Sequence, residues 1–437
     1  MQLQPILVAL RRHKVTTTLL VLQVAFTCAI VCNAVFLIAR RVEWITLPSG
    51  LDENSLSIVR IDDLQPGKNP LSLHQGDLAA LRELPGVESA AIVSNVPMSG
   101  NNWVTVACGS LAASHAFTAA MAAHSIARMT DVRGCANPDE FTGGPETLGT
   151  FGLKLVAGRD FNPDEYVQGK PPESSGHTSP PAAIVSEALA QRLFPSHPGQ
   201  VVGRTLYFGL AGVVHGEPTR VTGVVARLQR GHLNRDSHHG FSSNGLAILA
   251  PIEPGGGDAT FALRSRPPDR ARVIKAALAT LAKRKPDRQI SAGDGKTYTQ
   301  IRATYFSRGT TMIRMLLAAV LGLLFVTAVG IAGLEGFWVQ QRTRSIGIRR
   351  ALGATRRDIL RYFQTENFLI VTIGVVLGVI LAVVLNLVLM AHYQLPRFPL
   401  WYLAVGAAVL WMLGQLAVLM PALRASNVPP VEATRSV

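Results

Sequence analysis

Ionised side chains are scarce in this chain: Asp, Glu, Lys and Arg make up 16% of its 437 residues. The scarcity is concentrated. Residues 15–39, 315–334, 367–391 and 399–423 contain no ionised side chain at all. Each run reaches the ~20 residues that a helix needs to cross a bilayer. That excludes the string of two or three soluble domains which the length alone would allow. Acidic residues are the scarcer charged class, 28 against 42 Lys and Arg, so the formal net charge is +14. Such a surplus can mark a nucleic-acid binder. Beside long apolar runs it reports orientation in a membrane instead, and no nucleic-acid partner is expected.

Signals for catalysis are missing as well. Gly295-Lys296-Thr297 looks like the end of a phosphate-binding loop, but such a loop needs a glycine five positions before its Gly, and Ile290 stands there. The segment is read as an ordinary loop. His232, His238 and His239 cluster, and His115 and His124 fall on an expected helix, yet no Cys or acidic partner completes a zinc spacing. No Gly-x-Ser-x-Gly elbow and no distinctive carboxylate pair occur. No catalytic residue, no metal site and no cofactor is therefore expected. Inside the four runs and their flanks the one ionisable residue of note is Glu335, near the end of the second, where a lone carboxylate is expected to reach water.

Orientation follows from Lys and Arg near the ends of the runs. Arg11, Arg12 and Lys14 precede the first run, whose apolar core is longer than that of a signal peptide and lacks a small-x-small cleavage site before Arg40. It is read as an uncleaved anchor. Seven arginines lie between the second and third runs, and Arg424 and Arg435 follow the fourth. The other side carries Arg40, Arg41, Arg302, Arg308, Arg314 and Arg397. The heavier side is the cytoplasm. The expected layout is a cytoplasmic tail at 1–14, spans at 15–39, 312–339, 367–391 and 399–423, a cytoplasmic loop at 340–366, a short external loop at 392–398 and a cytoplasmic C-terminus at 424–437. Residues 40–311 form one large external domain.

That domain is expected to be α+β. Residues 55–61 and 87–93 alternate as strands, 77–84 and 271–283 carry helical spacing, and 112–129 is Ala- and Met-rich without a breaker. Gly-Pro-Ser-rich stretches at 143–145 and 169–181 suggest two subdomains divided near Gly143. Cys108 and Cys135 both fall in the external domain, where an oxidising compartment would let them pair; two free thiols are the alternative. Cys28 and Cys32, one turn apart on the first span, are read as small packing residues. Gly374-x-x-x-Gly378 on the third span would let another helix approach closely.

The arginine loop is more organised than an orientation signal requires. Gly353 can end a short helix as the residue just past its cap. Thr355 with Asp358 three residues later forms a capping box for the next helix, which runs through Ile359, Leu360 and Phe363 into the third span. Ile348, Ala351 and Leu352 share a face of the short helix, with Arg349 and Arg350 beside it. The arginines would also hold anionic lipid, at about 1 kcal/mol each.

The run Gln341-Arg342-Thr343-Arg344-Ser345-Ile346-Gly347-Ile348-Arg349-Arg350-Ala351-Leu352-Gly353-Ala354 resembles the signature loop of MacB/FtsX-type ABC transporter permeases. Arg356, Arg357, Asp358, Ile359 and Glu366 continue the likeness. So do Gly158-Arg159-Asp160-Phe161, the segment 183–190 and Val221-Thr222-Gly223-Val224-Val225 in the external domain. The family usually has Glu where this chain has Ser345. The resemblance implies a four-span bacterial inner-membrane protein with a periplasmic domain of porter-like and smaller subdomains. It also implies a separate cytoplasmic ATPase docked on residues 344–358, a second permease chain, and a periplasmic adaptor. ATP hydrolysis would then move the periplasmic domain, exporting or extracting a cargo on that side. A membrane sensor with an external ligand-binding domain is the alternative, disfavoured by cytoplasmic segments too short for a signalling domain.

Overall fold

The computed structural model describes residues 14–62, 70–101, 103–123, 132–169, 180–197, 199–210, 213–233, 245–286, 288, 290–393 and 399–426. The chain opens with helix α1 (Lys14–Ile45), followed by β1 (Leu56–Asp62), α2 (Pro70–Arg82), β2 (Val87–Val93), β3 (Thr105–Cys108), α3 (Leu111–Ala122) and β4 (Cys135–Ala136). Next come β5 (Asp139–Thr142), α4 (Thr147–Phe151), β6 (Leu155–Gly158), β7 (Val167–Gln168), β8 (Ala182–Ser186), α5 (Glu187–Leu193), β9 (Thr205–Leu210) and β10 (Val213–Val225). After these lie β11 (Ala247–Ala250), β12 (Ile252–Glu253), β13 (Asp258–Ser265), α6 (Arg270–Arg284), β14 (Gly295–Thr297) and α7 (Tyr298–Tyr305). The chain then forms α8 (Ser307–Gln341), α9 (Thr343–Ala351), α10 (Arg356–Tyr393) and α11 (Trp401–Ser426). These elements form two compact units, Met1–Thr46 with Arg308–Val437, and Leu47–Ser307.

In the first unit α1, α8, α10 and α11 are each long and apolar enough to cross a membrane. Burial of apolar side chains from lipid gives little drive to helix association, so close packing and interhelical hydrogen bonds carry it. Leu20, Val24 and Cys28 of α1 share a core with Ile370, Val371 and Val375 of α10 and Leu410 of α11. Each polar residue named next is tied down. Asn33 Nδ2 donates to the carbonyls of Ala29 (2.9 Å) and Ala382 (3.2 Å), and Asn367 Nδ2 donates to Gly414 O at 2.9 Å. The Thr27 and Thr327 hydroxyls join α1 to α8 at 2.8 Å. The bonds to Ala382 and Gly414 and the threonine pair hold helices together. At the ends of α1 and α8, the Ile45 side chain lies 3.4 Å from where a Cβ on Gly309 would stand, and Arg41 Nη2 reaches Met312 Sδ at 3.2 Å.

The second unit is α+β and contains two main sheets. The four-stranded antiparallel sheet has the order β14-β1-β13-β2. Chain order β1-α2-β2, then β13-α6-β14, makes this a ferredoxin-like split βαβ pair. Val59, Ile61, Ala90, Ile92, Phe261 and Leu263 of the strands meet Leu78, Leu81, Val273, Ala277 and Leu281 of the helices in one core. The alternation Ser57–Ile61 supplies that face because side chains two apart on a strand point the same way. Asp77, fully buried on α2, accepts from Arg284 and Arg288 and so locks α2 to the end of α6.

Residues 94–257 are inserted between β2 and β13 and build the second sheet, β4-β3-β9-β10-β8-β11-β5, with β6 added on β10. An isolated bridge between Val104 and Asp139 curls its far strand back toward β3. A division at Gly143 is therefore overturned: the first subdomain is made from both ends of the segment, and the insertion begins after Val93. Cys108 and Cys135 sit directly opposite on β3 and β4 and are joined by a disulfide. The Ala-rich helix spans Leu111–Ala122, started by Ser110 accepting from Ala113 N; residues 124–131 lie outside the described set. Gly295-Lys296-Thr297 is strand β14, and Thr297 then caps α7 by accepting from Gln300 N at 3.3 Å. In the second unit Arg302 donates to Leu47 O at 2.6 Å and pairs with Glu53, fastening the unit's last helix to its first residues.

Candidate functional site

The arginine loop folds as two helices with a sharp joint. After α8 the backbone N–H of Arg342 still donates to Trp338 O (3.1 Å) and Val339 O (3.2 Å), so the turn begins without a break in hydrogen bonding. Helix α9 then covers Thr343–Ala351. Leu352 N donates to Ile348 O at 3.0 Å, and Gly353 takes φ +99°, a conformation that stops a helix and that glycine adopts without strain. Thr355 restarts it. Its N–H donates to Asp358 Oδ2 at 3.0 Å while Asp358 N–H donates back to Thr355 Oγ1 at 3.3 Å, the reciprocal pair of a capping box. The Thr355 hydroxyl and N–H hold the Asp358 carboxyl below the usual carboxylate range.

The short helix is amphipathic in an informative way. Ile346 is buried with Ile359 and Phe363, which seats α9 on the start of α10. Ile348 (48% exposed) and Leu352 (83% exposed), one turn apart, face away with nothing described over them. Gly347 is buried; Ser345, Arg356, Arg357 and Asp358 are exposed; Ala354 is intermediate. The Ser345 hydroxyl donates to Arg342 O at 2.9 Å, so at this position the helix carries a group turned to its own backbone instead of a charge. The backbone of Arg344, Arg349, Arg350 and Ala351 lies within α9.

Two features escape the sequence reading. Arg342 Nη1 donates to both carboxylate oxygens of Glu366 (3.1 and 3.0 Å) and its guanidinium lies 5.9 Å from the centre of the Trp338 ring. This pair ties the start of the elbow to α10 across 24 residues of chain. Glu335, expected to reach water, instead has no exposed surface, and among the described residues neither carboxylate oxygen has a hydrogen-bond partner. It lies on the same face of α8 as Trp338 and Val339, at i+3 and i+4. The opposite charges at 342 and 366, each beside an apolar run, were the available signal for the pair; nothing local betrays the burial of Glu335.

The remaining candidates fall elsewhere. Gly374 and Gly378 face α1: a Cβ on Gly374 would stand 2.7 Å from Val24 Cβ, and one on Gly378 would stand 2.7 Å from Ala25 O. The disulfide Cys108–Cys135 belongs to the external unit. Of the histidines singled out in the sequence, His124, His238 and His239 lie outside the described residues. Among the described residues no three His, Cys, Asp or Glu side chains are placed to hold a metal.

Comparison with known proteins matches two family models along the chain. The family model for the MacB-like periplasmic core domain matches residues 29–281, more than half the chain, and that for the FtsX-like permease C-terminal matches 317–430. The uncharacterized ABC transporter permease YknZ of Bacillus subtilis is 24% identical over 289 residues, covering 65% of this chain and 66% of that protein. The macrolide export ATP-binding/permease protein MacB of Chromobacterium violaceum is 25% identical over 233 residues, 51% of this chain but only 31% of that protein. The matches thus span about two thirds of one relative and a third of the other. The solved periplasmic region of MacB from Actinobacillus actinomycetemcomitans aligns with 60% of this chain and 97% of its own, at 12% identity and a TM-score of 0.31, too low to bear on the fold. With four membrane-crossing helices, a periplasmic α+β unit between the first and second, and both family models matched in order, the chain belongs to the MacB/FtsX-type family of ABC transporter permeases.

Proposed function

We propose that this protein is the permease subunit of a multi-pass inner-membrane transporter in which a separate cytoplasmic ATPase drives movement of the periplasmic unit, exporting or extracting a cargo on that side. One observation carries the reading: the exposed pair Ile348 and Leu352, presented on a helix fixed by Gly353, the Thr355/Asp358 box and the Arg342–Glu366 pair. An apolar pair of this kind on a stiff elbow suits a groove in a partner. Both arms of the elbow are continuous with membrane helices, so force on α9 is applied to α8 and α10 directly. Asn33, Asn367 and the Thr27–Thr327 pair spend their hydrogen bonds between helices, which supports movement of helices over passage of a hydrophilic cargo between them.

In this reading the ATPase is a separate chain. In the same reading the loop and both termini are cytoplasmic, a second permease chain completes the membrane assembly, and a periplasmic adaptor engages the external unit. The test is co-purification with any ABC ATPase encoded beside this chain, followed by ATPase assays in lipid. Leu352→Asp and the triple change of Arg349, Arg350 and Leu352 to Ala should abolish association and coupled hydrolysis while membrane insertion persists. Retained coupling would sink the assignment.

A further inference from the structure

Where the four-stranded sheet meets α7, the external unit has a recess of about 280 Å³, at the lower end of small-molecule sites. Its lining includes Ile58 and Arg60 of β1, Asp294, Lys296 of β14, and Ile301 and Tyr305 of α7. The register explains the gathering. Lys296 is directly opposite Ile58, and Arg60 is two residues further along the same face. Ile58 belongs to a core against which Ile301 packs, so these two give the lining an apolar part, and Arg60 and Lys296 add two cations to it.

The donor inventory is lopsided. Neither Arg60 nor Lys296 pairs with a carboxylate or bonds an acceptor among the described residues. The Tyr305 oxygen accepts the N–H of Leu233 at 2.8 Å, which leaves its own hydrogen free to donate. Burial, first, and the charge of Asp139 push the Tyr305 phenol up, so that hydrogen is kept at neutral pH. Asp294 offsets part of the positive charge, but its Oδ2 already accepts from Ser291 N at 2.6 Å. An unmet set of two cations and one hydroxyl in a partly apolar lining calls for an acceptor-rich, negatively charged group with a short apolar body.

We propose that this recess binds a small oxyanion-bearing molecule, its carboxylate or phosphate held by Arg60, Lys296 and the Tyr305 hydroxyl and its apolar part set on Ile58 and Ile301. Three of the participating groups stand on β14 and α7, the last elements before α8 begins at Ser307, so an occupant rigidifies the segment through which the chain enters the membrane unit. The proposal does not depend on the ATPase reading.

Calorimetric titration of the full chain in lipid nanodiscs tests it with phenylacetate, phenyl phosphate and neutral phenylacetamide as probes. At least one anion should bind saturably and more weakly as salt is raised, and the amide should not bind. Arg60→Ala and Lys296→Ala should each weaken the anion about tenfold, Tyr305→Phe should weaken it less, and Arg60→Lys should restore part of the loss. The tighter of the two anions identifies the headgroup. No saturable anion binding, equal binding of the amide, or an affinity untouched by both cation substitutions would overturn the site. Arg60 and Lys296 are exposed, so a far-ultraviolet spectrum unchanged from the parent confirms that the variants report binding and not folding.

Discussion

Single side chains decide how far local chemistry can be trusted in this protein. Glu140, on the edge strand β5, is 3% exposed, and burial pushes its carboxyl from 4.5 up to about 7. A raised acid pKa means the folded state holds its proton longer than the unfolded chain does. The cost of ionising it is absent below the ordinary value, grows as pH rises between the two values, and is constant above. Glu140→Gln should therefore stabilise the external unit at pH 8, by at most about 3 kcal/mol, and make no difference near pH 4.5. Melting curves of both proteins across that range check it, and equal gains at both ends would refute the burial account. Asp358 has the opposite sign: its depressed carboxyl supports the α10 cap above the ordinary carboxylate range and releases it as pH falls through the folded value. Thr355→Ala should cost about 1 kcal/mol of local stability, seen as faster hydrogen exchange in the first turn of α10.

Elements were legible in the sequence wherever their cause is local. The membrane helices follow from runs without charge, and the joint between α9 and α10 follows from Gly353, Thr355 and Asp358, residue types whose conformations and hydrogen bonds act within one turn. What was hidden is non-local. Strand β13 completes a sheet begun 200 residues earlier on the chain, so no boundary marker near Gly143 could reveal it. The Arg342–Glu366 pair and the burial of Glu335 likewise depend on which helix face meets which. The glycines of α10 sit between these cases: their spacing was visible, their partner was not. Gly378→Val should force α1 and α10 apart, costing about 1–3 kcal/mol, with reduced yield of folded protein from membranes as the measurement. Gly353→Ala meets no neighbour within 4 Å, so its effect comes only from the positive φ, about 1 kcal/mol. It should lower nucleotide-coupled activity more than it lowers the melting temperature.

At the scale of the whole molecule the two units have separate cores, and their stabilities should respond separately. The disulfide closes a loop with a sequence separation of 27 residues wholly inside the external unit. Replacing Cys108 and Cys135 with Ser should remove about 3 kcal/mol from that unit's unfolding while leaving the helical transition of the membrane unit where it was. Calorimetry with and without reductant distinguishes the two; a shift of both transitions together would show that the cores unfold as one. The chain ends of the external unit have a further consequence. Arg302 pins Leu47 within that unit, and Ile45 lies beside Gly309 within the other, so each unit brings its own two cut points together. The external unit is thus a cassette: a few flexible residues could close the membrane unit without it, and a foreign domain with adjoining termini could take its place while the α9 elbow stays unchanged.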